Sequence, residues 1–396
     1  MTTEEGPISV MMVAGEASAD LHGAELVKEL KARGTHDIFG VGGPSMRALG
    51  FNAHYPAEAI SVAGLTEVVF ALPRLIRMLR GLVDLAIEKK PDIVVLIDLP
   101  DFNLRLAKRL KKHGIKVVYY ISPQLWAWRK RRVEIIRRYI DRMLVILPFE
   151  EDFYRQHQVS VDFVGHPLIE ETQDVMSSRE ARAHFKLSED DKVLALLPGS
   201  RLKEVQRLLP PMLESFQRLR AANPKLIGLI PIASTLKESD LSGQTPQALL
   251  EGIRFVDEQA PEVVRAADAA IVCSGTSTLQ TALLSTPMVI VYKVSWLTFA
   301  ILKRLVKVAH IGLVNLIAGK RLVPELLQED CSADQIVAAL TPLIEDTGER
   351  QAMLSEFETL RSSLGEPGVS RRVSDILYQE CSLLPSPKPA SESKEV

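Results

Sequence analysis

A chain of 396 residues, 46% hydrophobic and 25% charged, has material for two ordinary globular domains, each with a core of its own. A net charge of −2 excludes a surface built as a whole to hold nucleic acid, so any anionic partner has to be met by a local basic patch. The three cysteines, Cys273, Cys331 and Cys381, stand singly, which argues against a disulfide framework or thiolate metal site and for a reducing compartment.

The first residues, MTTEEGPISV, are acidic and run straight into a strand, so no signal peptide is expected. Ile8–Val13 reads as that strand, GEASAD as a loop and Leu21–Arg33 as a helix. Val94–Ile97 is a buried strand ending at Asp98, and the helix Leu104–His113 leads to the strand Lys116–Ile121. Lys130–Ile140 reads as a helix and Arg142–Leu147 as the next strand. Continuous Val/Ile/Leu runs without strict alternation suit parallel strands covered on both faces. The rhythm restarts after VDFVGHPL with a helix-prone stretch, Glu170–Asp190. Strands follow at Val193–Leu197, Leu226–Ile232, Ile253–Val256, Ala269–Cys273 and Met288–Tyr292. The expected fold class is therefore α/β, with two Rossmann-like halves meeting near Gly165–Pro167. The Pro/Ser/Lys-rich end, 382–396, is expected to be a disordered tail. Apolar runs such as Trp296–Leu302 break at charges well short of membrane-spanning length, so a cytosolic protein is expected.

Ligands of open parallel sheets bind beyond the carboxyl ends of the strands. Asp98 stands at such an end, in VVLIDLPDFN, where it either serves a site or helps Asp101 cap the following helix. LLPGSRLKEV (Leu196–Val205) is a strand, a Gly loop and a helix start. Gly199 admits close approach, Ser200 can cap, and Arg201 stands beside free N–H groups, a site for phosphate unless Ser200 and Arg201 are merely a cap and a surface charge. CSGTSTLQTALL (Cys273–Leu284) repeats the design with Ser274, Gly275 and Thr276. Two such loops in one half suit a diphosphate ligand with hydroxyl-rich parts, such as a nucleotide sugar; well-capped helices are the plainer alternative. AGEASADLHG carries Glu16, Ser18 and Asp20 at a third strand end, as ligand groups or as a capping box. FALPRLIRMLRGLV (Phe70–Val83) is a wide apolar helix with Arg74, Arg77 and Arg80 on one side, suited to an anionic membrane surface or to a core with a solvated stripe. SPQLWAWRKRR, with Trp126, could stack on nucleic acid, meet a lipid or phosphate, or simply pack its tryptophans. No residues have metal-ligand spacing, and no Asp-x-Asp stands at a strand end, so a leaving diphosphate would be met by Arg and helix termini.

AGEASADLHG, GGPSM, DLPDFN, SPQLWAWR, LPFE, FVGHP, LLPGSR, SGTSTLQ and LVNLIAGKRLVPELLQEDC resemble, in order, the motifs of the lipid-A-disaccharide synthase family, from about Val10 to Cys331. The resemblance implies two Rossmann-like domains facing a central cleft, of the GT-B type, and an inverting transferase working without metal or other cofactor. The donor it implies is UDP-2,3-diacylglucosamine, with UDP the leaving group. The acceptor is 2,3-diacylglucosamine 1-phosphate (lipid X), and the product a β-1,6-linked disaccharide on the way to lipid A. It further implies peripheral attachment to the cytoplasmic face of the inner membrane, no nucleic-acid partner, and a homodimer formed by exchange of C-terminal parts. On this basis residues 1–168, completed by C-terminal helices at about 345–381, form the acceptor and membrane-facing domain, and 169–344 the donor domain.

In roles carried over from the family, Asp98 is the general base, with Asp101 and Asn103 shaping its loop. Arg201, Gly199 and Ser200 meet the diphosphate, and Ser274, Gly275, Thr276, Gln280 and Asn315 hold other parts of UDP. Glu16, Ser18, Asp20 and Trp126 line the acceptor side, while Leu72, Leu75, Ile76, Leu79 and Leu82 with Arg74 and Arg77 face lipid. The chain departs from the usual pattern at Ala14, Ala19 and Val314, and at Gln280, where Glu is usual and the charge on a ribose-binding group is lost. The rival readings are another UDP-sugar transferase or a UDP-sugar epimerase on the same fold and, from a different class, a nucleic-acid binder using the Trp-Arg patch.

Overall fold

The computed structural model describes residues 7–34, 37–60, 65–123, 125, 132–243, 245–257, 259–295, 299 and 310–382. The chain divides into two units, Met1–Pro167 with Gly368–Val396, and Leu168–Pro367. Each is built on one sheet whose pairings are all parallel.

The first unit's strands are β1 (Ser9–Ala14), β2 (Asp37–Gly42), β3 (Asn52–Pro56), β4 (Ile93–Ile97), β5 (Val117–Tyr120), β6 (Arg142–Val145) and β7 (Val161–Phe163), in the order β3-β2-β1-β4-β5-β6-β7. The order reverses between β1 and β4, where Ala14 lies beside Ile97. Both faces are covered, which explains why β1, β4 and β5 read as unbroken apolar runs. One face packs on the helices Leu65–Lys89 and Pro100–Leu110 through Met78, Leu82, Leu106 and Leu110. The other packs on Ala17–Ala32 and on Val369–Ser382 through Leu26, Leu30, Val373 and Leu377. Of the C-terminal helices expected to complete this unit, only Val369–Ser382 does so. Gly348–Ser363 buries Met353, Phe357 and Leu360 in the core of the second unit. Tail residues 383–396 lie outside the described residues.

The second unit's strands are β8 (Lys192–Leu197), β9 (Leu226–Ile232), β10 (Ile253–Asp257), β11 (Ala269–Cys273), β12 (Met288–Tyr292) and β13 (Glu325–Leu327), in the order β10-β9-β8-β11-β12-β13. Its reversal falls between β8 and β11, with Leu197 beside Val272. Each sheet therefore has one topological switch point, the place where open α/β sheets take ligands.

Candidate active site

The loops singled out from the sequence stand at these two switch points. In the first unit, β1 ends at Gly15-Glu16 and β4 at Asp98. Asp98 and Leu99 both adopt φ of 49°, a left-handed conformation that costs a non-glycine residue about 1–2 kcal/mol. What holds them there is visible. The Asp98 N–H continues the ladder to Tyr120 O at 3.0 Å. Its carbonyl accepts from the Tyr119 hydroxyl at 2.5 Å and from Asn103 Nδ2 at 2.7 Å. Net contributions of about 1 kcal/mol per such bond offset much of the strain.

The Asp98 carboxyl is pushed up to about 6, first by burial and then by the neighbouring Glu16 charge, against a lowering hydrogen bond from the Leu99 N–H. A carboxyl poised near neutrality at a strand end has the properties of a general base. The helix after it begins at Pro100, four residues earlier than expected, so Asp101 lies in its first turn and not at the cap. Asp101 pairs with Arg132 at 2.5 Å.

Asp20 does structural work. Its buried carboxylate accepts from the N–H groups of Gly43 (2.7 Å), Ser45 (2.8 Å) and Met46 (3.2 Å), capping the helix Pro44–Ala48 from a distant part of the chain. A Cβ on Gly43 would lie 2.5 Å from that carboxylate, so the glycine of GGPSM makes room for it. Glu16 and Ser18 are exposed. Trp126 and residues 129–131 of the basic run lie outside the described residues. Two histidines that sequence reasoning passed over are packed close enough to feel each other: burial lowers His22 to about 4, and burial with His22 lowers His166 to about 3, so both are neutral near pH 7.

The second unit holds a pocket of about 590 Å³ lined by Pro198–Arg201, Glu204, Ala233, Ser234, Pro261 and Cys273–Ser277. Two helices, Leu202–Ala222 and Thr276–Leu283, start beside it, and no side chain caps either N-terminus. Ser200 is not the cap expected of it; Arg201 occupies that position, and the Ser200 carbonyl accepts from Thr235 Oγ1 at 2.6 Å. Gly199 has φ of 107° and lies against Glu204 and Cys273, where a side chain would collide. Uncapped helix starts beside an exposed Arg201 guanidinium offer free N–H groups and positive charge, the features that suit a diphosphate. Arg201 pairs with Glu204 at 3.2 Å. Glu204 was missed, although its spacing three residues beyond Arg201 on a helix was a readable sign.

The structure corrects the readings of Asn315 and of the pair Leu79 and Leu82. Asn315 is fully buried, with Nδ2 donating to Val323 O (2.9 Å) and Glu325 Oε1 (2.8 Å), and Oδ1 accepting from the N–H groups of Leu322 and Val323 (both 2.8 Å). An amide has two donors and two lone pairs to give, so nothing is left for a nucleotide. Gln280 is half-buried and does not line the pocket. On the helix Leu65–Lys89, Leu79 and Leu82 belong to the core and cannot face lipid, because the apolar arc wraps onto the sheet. Leu75 packs beside that core, while Leu72, Ile76, Arg74 and Arg77 are exposed. Among the described residues no helix is long and apolar enough to cross a membrane.

Solved structures share the arrangement at low identity. The glycosyltransferase of kitacinnamycin aligns over 95% of this chain and 98% of its own with a TM-score of 0.64 and 18% identity. A putative UDP-N-acetylglucosamine 2-epimerase from Listeria monocytogenes aligns over 96% and 99% with a TM-score of 0.66 and 9% identity. The fold is thus the GT-B fold of such transferases and epimerases. Sequence goes further. The family described as lipid-A-disaccharide synthetase matches residues 10–374. Proteins named lipid-A-disaccharide synthase are 48% identical in Anaeromyxobacter dehalogenans strain 2CP-C (92% of this chain, 96% of the relative) and 44% identical in Myxococcus xanthus (94% and 97%). The chain belongs to the lipid-A-disaccharide synthase family, whose members are glycosyltransferases of lipid A biosynthesis.

Proposed function

We propose that this enzyme transfers 2,3-diacylglucosamine from UDP to the 6-hydroxyl of 2,3-diacylglucosamine 1-phosphate, forming a β-1,6-linked disaccharide 1-phosphate and UDP. The observation that carries the chemistry is Asp98, a carboxyl raised to about 6 on a strained turn at the first sheet's switch point. The acceptor hydroxyl gives its proton to the Asp98 carboxylate as its oxygen bonds to the donor's anomeric carbon. The bond from that carbon to the UDP oxygen breaks on the opposite face, which inverts the configuration. The charge gathering on the diphosphate is met by Arg201 and by the helix starts behind Gly199–Ser200 and Ser274–Thr276. No metal or other cofactor takes part in this reading, and excess chelator should leave turnover unchanged. The exposed Leu72 and Ile76 with Arg74 and Arg77 support peripheral docking on the cytoplasmic face of the inner membrane.

The test is incubation with both lipid substrates and mass analysis of the product. A disaccharide 1-phosphate is expected; a UDP-sugar of unchanged mass whose configuration is inverted at one sugar carbon, read by NMR, would instead make the enzyme an epimerase. Asp98→Ala should lose most turnover while still binding UDP, and normal turnover in that variant would overturn the assignment of the base.

A further inference from the structure

We propose that Tyr119 is a positioning residue for catalysis: its hydroxyl, acting with Asn103 on one backbone carbonyl, holds the turn that presents the Asp98 carboxyl to the acceptor hydroxyl. This rests on Asp98 as the base, and goes beyond it by naming the part that aims it.

Tyr119 lies on β5, adjacent to β4, and is fully buried. Its ring packs in the core while its hydroxyl reaches the end of the neighbouring strand and donates to Asp98 O at 2.5 Å. Asn103, on the first turns of the helix Pro100–Leu110, donates to the same oxygen at 2.7 Å and to Ile97 O at 3.2 Å. One carbonyl is therefore gripped from both sides of the turn, by a rigid strand residue and by a helix. The grip falls where backbone conformation is least favourable, at two consecutive non-glycine residues of positive φ. With the carbonyl fixed, the remaining freedom of Asp98 is the rotation of its short side chain. Were the carbonyl released, the peptide could turn over and carry the carboxyl away from the neighbourhood of Glu16. Burial keeps Tyr119 protonated, well above the usual phenol range, so it remains a donor throughout the working pH range.

Tyr119→Phe removes only the hydroxyl, whereas Asn103→Ala removes the second donor to Asp98 O together with the bond to Ile97 O. Each is compared with wild type and with Asp98→Asn for kcat, donor KM, the pH profile of kcat/KM and Tm. In Tyr119→Phe, kcat should fall at least tenfold with donor KM within twofold, and the acid limb should move from about pH 6 towards that of an ordinary carboxyl. Asn103→Ala should behave alike, and the double variant should approach Asp98→Asn. A wild-type kcat and an unmoved acid limb in both single variants would overturn the proposal. So would loss of fold in both, which would make the bonds structural. If Asp98→Asn itself turns over normally, the base assignment fails; if Asp98→Asn is inactive and Tyr119→Phe is not, only the positioning role fails.

Discussion

The raised Asp98 carboxyl ties activity to stability at a single residue. Because folding lifts its pKa from 3.8 to about 6, ionising it opposes folding. The stability it leaves intact is complete below about pH 4 and lost as pH rises through about 6. At ~1.4 kcal/mol per pKa unit the penalty is no more than about 3 kcal/mol at neutral pH. Asp98→Asn should therefore raise Tm at pH 7.5 and not at pH 4 while abolishing turnover, a pairing that differential scanning fluorimetry and an activity assay can check. The histidines act in the other direction. His22 and His166 are lowered to about 4 and about 3, so their contribution is intact above about 6.5 and is lost as pH falls through those values. His22→Asn should flatten the fall of Tm between pH 6.5 and 4. Arg201→Ala, at an exposed position in the phosphate cradle, should weaken UDP binding about tenfold, a typical worth for a charge-assisted contact, as measured by calorimetry. Asn315→Ala strands buried partners on the loop at 322–325 and should cost stability of about 2–4 kcal/mol, read as a lowered denaturant midpoint.

The helix Leu65–Lys89 separates two roles by residue. Leu79→Ala opens a cavity in the core and should cost about 2–4 kcal/mol. Leu72→Ser with Ile76→Ser should leave Tm within a degree or two and reduce the fraction sedimenting with membranes; unchanged sedimentation would remove this surface from the docking proposal. Sequence pattern alone could not make this division. The arc was wide enough to serve either role, and only the sheet beneath shows which positions it covers. Strand positions were more legible, because a parallel strand covered on both faces leaves a continuous apolar run. Leu226–Ile232, Ala269–Cys273 and Met288–Tyr292 fall where expected to the residue. Helix starts were less so: Ala17, Pro100 and Leu202 set boundaries that no side-chain cap announces.

Across the molecule, both switch-point loops were legible as Gly, Ser and Asp at the ends of apolar runs, since those residues suit sharp turns and open backbone. What was not legible is which polar groups are already satisfied. Asp20 and Asn315 look from sequence like ligand groups, and tertiary contacts with residues 23 and 8 positions away engage them. Tyr119 looked like strand filling because its partner, Asp98, is 21 residues away on the neighbouring strand.

The helix Val369–Ser382 belongs to the unit whose strands open the chain. During synthesis the first seven strands leave the ribosome with one apolar flank covered only in part, by Ala17–Ala32, and the rest of it waits while residues 168–367 are made before Val369–Ser382 arrives. Residues 168–367, the whole of the second unit, are made in the meantime, so the first unit cannot complete the cover of its sheet until the second has emerged.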